Sequence, residues 1–193
     1  SPADGRIMDQ GDISSDSVFT VKKGQYTPAD LIGDGEAAER FANGRYMVIH
    51  LRPFDYHRIH VPYSASLTHH ACMSGRLLPV HEPSLKTFRN VFIRNRRRSL
   101  LLESRGRGYA MILVGAMNVG KIPVEFQLPE TDSFSNITDT VSFNTGDEIG
   151  RFELGSTVVL LFEPGFIEPA ELNTGDDIRM GDRIGIRTNR DSI

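Results

Sequence analysis

The sequence predicts a mostly β protein of the α+β class, a single β-rich domain with short helices spanning residues 1–193. Three observations point there. Residues 45–51, 99–104, 109–114, 124–128 and 157–162 are strand-length runs rich in aliphatic, β-branched and aromatic side chains, set among Gly, Pro, Asn and Asp. Eighteen Gly and ten Pro supply dense turn punctuation. Helical patterning is confined to two short stretches, with no repeat or low-complexity linker to divide the chain.

In chain order, residues 28–43 are the best helical stretch. Leu31, Ala38 and Phe41 can share a face there, although Gly33 and Gly35 weaken it. Residues 45–51 form the first clear strand. Residues 84–95 are a second short helix, with Ser84 placed to cap it. The runs at 99–104 and 109–114 follow as strands. Gly115-Ala116-Met117-Asn118-Val119-Gly120-Lys121 matches most of a phosphate-binding loop. However, Ile122 stands where a magnesium-holding hydroxyl belongs, and Pro123 with the strand-like 124–128 replaces the following helix. It reads as a glycine turn between strands, not a nucleotide site. Residues 130–145 are polar and predict a long surface excursion. Asn136-Ile137-Thr138 within it is a glycosylation sequon by pattern only. The run at 157–162 closes the strand set.

Composition excludes several function classes. The chain has 193 residues, a formal net charge of −3 and one cysteine, Cys72. That length buries a core without staples, and a lone cysteine rules out an internal disulfide or a thiolate-rich metal site. The near-neutral balance argues against nucleic acid as a partner. No apolar run approaches the ~20 residues of a membrane-spanning helix. The polar opening Ser1-Pro2-Ala3-Asp4-Gly5 is not a signal peptide, and without an initiating Met the expectation is that upstream sequence has been trimmed away.

The charged and titratable residues are unevenly placed. All six histidines lie between His50 and His81, so histidine chemistry must come from that stretch. From Lys86 to Arg107 eight basic residues face one acid, Glu103. A solvated face explains most such runs; the functional alternative is a surface for anionic phosphates, including lipid headgroups. Tandem His69-His70 and His81 read as surface residues. His57 and His60, three apart, lack a third ligand at metal-site spacing but suit general acid–base work. Taken singly, Asp4 is a turn residue, Gly155 a tight turn and Ser156 unremarkable.

The combination weighs more than its parts. Pro2-Ala3-Asp4-Gly5, then Tyr56-His57-Arg58-Ile59-His60-Val61-Pro62, then Leu154-Gly155-Ser156-Thr157, in that order and spacing, resembles the phosphatidylserine decarboxylase family. The match includes Lys23-Gly24-Gln25-Tyr26, Asn90-Val91-Phe92-Ile93-Arg94-Asn95, Val114-Gly115-Ala116, Gly146 through Phe152, and Phe162-Glu163-Pro164-Gly165. It runs from residue 1 to about residue 165.

That resemblance implies a barrel-sandwich, lipoyl-like core and a proenzyme that cuts itself between Gly155 and Ser156 into residues 1–155 and 156–193. Ser156 becomes a covalent pyruvoyl group, so neither pyridoxal phosphate nor metal is expected. The family pattern carries Asp4, His60 and Ser156 over as the self-cleavage triad, with His60 as base and Asp4 as its orienter. It gives His57 to decarboxylation, protonating Cα after carbon dioxide leaves. The substrate implied is phosphatidylserine and the product phosphatidylethanolamine. The setting implied is a homodimer of processed protomers, peripheral on the cytoplasmic side of the inner membrane. Family members carry a membrane-meeting segment before the Pro-Ala-Asp-Gly element, absent from this sequence. Docking on an anionic membrane surface would then fall to the Lys86 to Arg107 stretch or to Phe54 and Tyr56. Two rivals remain: a related pyruvoyl decarboxylase of another amine, and a non-cleaving β-domain that binds a lipid or carrier group.

Overall fold

The computed structural model describes residues 1–117, 122–125 and 135–188. The first half holds β1 (Gly5–Asp12), β2 (Phe19–Val21), β3 (Gly24–Tyr26), α1 (Pro28–Ile32), α2 (Gly35–Ala38), a 3₁₀ turn (Glu39–Phe41), β4 (Arg45–Leu51), β5 (Arg58–His60) and β6 (Ala65–Met73). Then come α3 (Glu82–Thr87), α4 (Val91–Arg94), β7 (Arg97–Ser104), β8 (Arg107–Val114), β9 (Ser135–Phe143), β10 (Glu148–Arg151), β11 (Ser156–Phe162), β12 (Ile167–Pro169), β13 (Asp177–Ile178) and β14 (Gly185–Arg187). Among the described residues the main sheet has eight strands, all antiparallel, in the order β13-β1-β4-β11-β8-β7-β6-β9. The mostly β expectation therefore holds.

Both faces of this sheet are covered, which is why its central strands read as continuous apolar runs rather than alternating ones. On the first face Met47, Ile49, Leu51, Val158 and Leu160 pack against Ile59 and Val61 at β5 and Ile149 of β10. On the second face Val48, Ile112, Val159 and Leu161 pack against Leu31 and Ile32 of α1, Phe41, and Phe92 of α4. All seven residues of β11 are buried, sandwiched between the two cores.

The helical regions are shorter than their sequence pattern suggests. Thr27 caps α1 by accepting from Asp30 N, and Gly33 stops it at φ 88°, the left-handed region that glycine enters without penalty. Asp34 then caps α2 by accepting from Ala37 N. The expected helix at 84–95 is two pieces. His81, not Ser84, caps α3, Ser84 is buried in its first turn, and Asn90 at φ 55° breaks the run before α4.

Three further expectations need correction. The polar stretch 130–145 contains β9, which pairs with β6. His70 lies on β6 and is buried rather than at the surface. In the expected strand 124–128, Val124 forms an isolated bridge to Gly150, while residues 126–128 lie outside the described residues, as do 118–121 of the glycine turn. The side chains of Asn136 and Thr138 in the sequon also lie outside them.

Buried polar residues tie the second face together. Arg97 donates to the carbonyls of Asp30, Leu31 and Ile93, satisfying helix-end carbonyls that have no intrahelical partner. Asn95 is fully buried; its amide nitrogen donates to the carbonyls of Leu78 and Gly115, and its Oδ1 accepts from Leu78 N. Asn95→Ala strands these groups, so we expect a loss of about 3 kcal/mol in chemical denaturation. A change within about 0.5 kcal/mol would show that water replaces the amide.

Candidate active site

Ser156 opens β11, directly across from Leu51 of β4. Alternation along β11 puts its side chain on the first face with Val158 and Leu160. The residue is fully buried, and its Oγ donates to the Leu154 carbonyl at 3.0 Å. Gly155 passes close over the end of β4. A Cβ there would sit 2.9 Å from the Leu51 carbonyl oxygen, so this position needs glycine for space. Gly155 also borders an apolar cavity of about 190 Å³, lined by Leu51, Pro53, Val80, Met117 and Leu154.

The two histidines arrive on the short β5–β10 ribbon that covers the first face. A tight turn aims the segment before them. The Asp55 carboxylate accepts from both Arg52 N and Arg52 Nε, at 2.7 and 2.9 Å. Burial works against this carboxylate, but the hydrogen bonds from Arg52 outweigh it and hold its pKa below the usual range. The segment is pinned further by Phe152 N donating to the His57 carbonyl and by His60 N donating to the Pro2 carbonyl. These two bonds bring the chain that leads into Ser156, the histidine pair and the Pro2–Asp4 segment to one end of the first face.

The side chains there are held apart by other partners. His60 is buried; its Nδ1 donates to the Gly146 carbonyl at 2.8 Å, leaving Nε2 to accept from the Tyr56 hydroxyl at 3.0 Å. His57 Nε2 is buried and has no hydrogen-bond partner. Asp4 Oδ1 accepts from Met180 N at 2.7 Å. No hydrogen bond links Asp4, His57, His60 and Ser156 to one another. For His60 to act on Ser156, its Nε2 must exchange the Tyr56 hydroxyl for the serine.

Tyr56 and the Gly146 carbonyl are therefore parts of this site that sequence reasoning did not assign. Both fall inside motifs singled out above, but a hydroxyl or a carbonyl at those positions carries no signature of its own. Among the described residues no group of three or more His, Cys, Asp or Glu side chains gathers to hold a metal.

The basic stretch does not form one surface. Arg97 and Arg98 are buried, and Arg107 donates to the carbonyls of Pro164 and Gly165. Lys86 pairs with Glu82, while Arg89 and Arg105 are exposed. Of the exposed apolar residues, Met117 (54% exposed) and Leu154 (37%) line the cavity, and Phe54 (79%) follows Pro53, which also lines it.

A family model described as phosphatidylserine decarboxylase matches residues 1–186. Curated relatives agree. A protein named phosphatidylserine decarboxylase proenzyme from Pseudoalteromonas atlantica (strain T6c / ATCC BAA-1087) is 37% identical over 197 residues, covering 94% of this chain and 67% of that protein. Proteins of the same name from Bacillus cereus (strain AH187) and Bacillus anthracis are each 37% identical over 188 residues, covering 97% of this chain and 67% of theirs.

Proposed function

The chain belongs to the phosphatidylserine decarboxylase family, and on that premise we propose that it is a self-cleaving proenzyme whose mature form decarboxylates phosphatidylserine to phosphatidylethanolamine. The observation that supports this reading best is the meeting of Gly155-Ser156, the His57–His60 ribbon and the Pro2–Asp4 segment at one end of the first face. Its products are residues 1–155 and 156–193, held together by the β4–β11–β8 pairing, since β11 lies wholly in the smaller piece.

Self-cleavage begins when Ser156 Oγ, activated by His60, attacks the Gly155 carbonyl carbon. The Gly155–Ser156 C–N bond breaks, the nitrogen takes a proton, and the peptide becomes an ester. Asp4 serves this step by orienting His60, which requires it to leave Met180 N and to take the place of the Gly146 carbonyl at His60 Nδ1. A base then removes the Ser156 Cα proton, the Cβ–Oγ bond breaks, and Gly155 leaves as a carboxylate. Water hydrolyses the resulting dehydroalanine through its imine tautomer, releasing ammonia.

The pyruvoyl group so formed supplies an electron sink conjugated to the substrate's amino nitrogen. The residues around position 156 fit such a group: His57 Nε2 is a buried ring nitrogen without a partner, available to hand a proton to the substrate carbon. Burial at Ser156 excludes bulk water from the same place.

We place this activity at the cytoplasmic face of the inner membrane, in a homodimer of processed protomers. No helix among the described residues is long and apolar enough to cross a membrane. Phe54, Met117 and Leu154 are the apolar residues positioned to meet a bilayer beside the cavity, whereas Tyr56 is engaged with His60. Phe54→Asp is expected to weaken vesicle flotation about tenfold, the equivalent of roughly 1.5 kcal/mol of aromatic burial. Binding that vanishes on neutral vesicles and ignores Phe54→Asp would return the docking role to the basic residues.

The intact mass of the purified chain tests the central reading. Two chains, the smaller beginning with a pyruvoyl group, are expected after incubation at neutral pH. A single persistent mass would count decisively against it and favour a non-cleaving domain. Turnover of short-chain phosphatidylserine, with none of free serine, separates the lipid enzyme from a soluble-amine decarboxylase.

A further inference from the structure

We propose that Tyr56 is a positioning residue that acts as a brake on self-cleavage: its hydroxyl occupies the ring nitrogen with which His60 would take the Ser156 proton, and so prolongs the life of the uncut precursor. This deepens the self-cleaving reading above and rests on it.

The contact is direct. Tyr56 Oη lies 3.0 Å from His60 Nε2, and the two rings stack with centroids 5.7 Å apart and planes 15° from parallel. The other side of the imidazole decides which group donates. His60 Nδ1 lies 2.8 Å from the Gly146 carbonyl, which can only accept, so Nδ1 carries the proton and the Nε2 lone pair accepts from the phenol. A neutral imidazole has one such lone pair, and while the phenol holds it His60 is no base for Ser156. Packing aims the hydroxyl. The Arg58 guanidinium stands 5.0 Å from the Tyr56 ring centroid and is itself paired with Glu148 at 3.3 Å. The imidazole is pinned as well: His60 N donates to the Pro2 carbonyl, and Gly146 N donates to the carbonyl of Val61, the residue after His60.

Release of the phenol opens one path for one proton. Nε2 takes the Ser156 Oγ proton as Oγ bonds to the Gly155 carbonyl carbon, and delivers it to the Ser156 nitrogen as the C–N bond breaks. Nδ1 keeps its own proton throughout, first toward the Gly146 carbonyl and then toward Asp4, so only the Nε2 side carries the brake. The Tyr56 hydrogen bond stabilises the resting precursor and is gone when Ser156 reacts. Deleting the hydroxyl should therefore speed ester formation, the opposite of what loss of an assisting residue does.

The test compares wild type with Tyr56→Phe, which keeps a ring to stack on His60 and deletes only the oxygen. Full-length chains are made by cell-free synthesis and their splitting is followed at neutral pH by gel and intact mass. Tyr56→Phe is expected to split about threefold to tenfold faster, the factor that one ordinary hydrogen bond is worth. A rate equal to or below wild type would overturn the proposal. If neither chain splits, the self-cleaving reading falls and this one with it; if wild type splits and Tyr56→Phe splits no faster, this one falls alone. A second measurement needs no cleavage. In the full chain carrying Ser156→Ala, nitrogen NMR should show His60 protonated at Nδ1, and adding Tyr56→Phe should move its Nε2 resonance toward that of a free acceptor nitrogen. An Nε2–H tautomer, or an Nε2 resonance that Tyr56→Phe leaves in place, refutes the assignment.

Discussion

Replacing Ser156 by alanine is expected to leave a single 21.5 kDa chain that never splits and never acquires a borohydride-sensitive carbonyl. The reason is chemical rather than structural. In the proposed mechanism Ser156 is both the nucleophile that converts the peptide to an ester and the source of the reactive carbonyl, so one deletion would remove cleavage and cofactor together. The fold should survive, because Ser156 Oγ makes only a local hydrogen bond to the Leu154 carbonyl, while β11 is held by pairing with β4 and β8. Circular dichroism and thermal melting close to wild type would separate loss of chemistry from loss of structure. Cleavage at the same bond in Ser156→Ala would end the pyruvoyl reading.

The second large effect should split the two histidines. His60→Ala is expected to slow chain cleavage on the order of 10²–10⁴-fold, the range for removing a positioned general base. His57→Ala should cleave and form the carbonyl but lose decarboxylation by a similar factor. The geometry motivates the difference. His60 rests with Nδ1 on the Gly146 carbonyl and Nε2 on the Tyr56 hydroxyl, so a base near the cleavage site can take up Asp4 and Ser156 by exchanging those two partners. His57 Nε2 is buried with no partner, as suits a group whose partner arrives with the substrate. Uncleaved His57→Ala together with freely cleaving His60→Ala would exchange the two roles.

Much of this protein was legible before folding was considered, and particular elements show why. Arg45–Leu51 was read with the bounds the structure gives, and the cores of β7, β8 and β11 were read within two residues. Their middles are buried on both faces, so each reads as a mostly apolar run rather than an alternating one. β1 and β6 were missed. Each contains a bulge, between Ile7 and Asp9 and between Leu67 and His69, which shifts the two-residue alternation partway along the strand and erases its pattern. β9 was hidden by polarity, since its pairing with β6 comes from tertiary context rather than from its own residues.

At the site, Asp4, His57, His60, Gly155 and Ser156 stand out only through the resemblance of their combined motifs to the phosphatidylserine decarboxylase family; taken singly, none of them is distinctive. Their hydrogen-bond partners were not legible. That His60 leans on the Gly146 carbonyl and that Asp4 serves Met180 N depend on segments far apart in the chain, and that Tyr56 caps His60 depends on how their shared loop is folded. The basic run from Lys86 to Arg107 makes the same point. Sequence records its charge, but only packing decided that Arg97 and Arg98 turn inward. The combined motifs pointed to the family; strand register and the burial of both sheet faces decided which atoms stand beside the candidate residues, because those depend on segments that meet only in the fold.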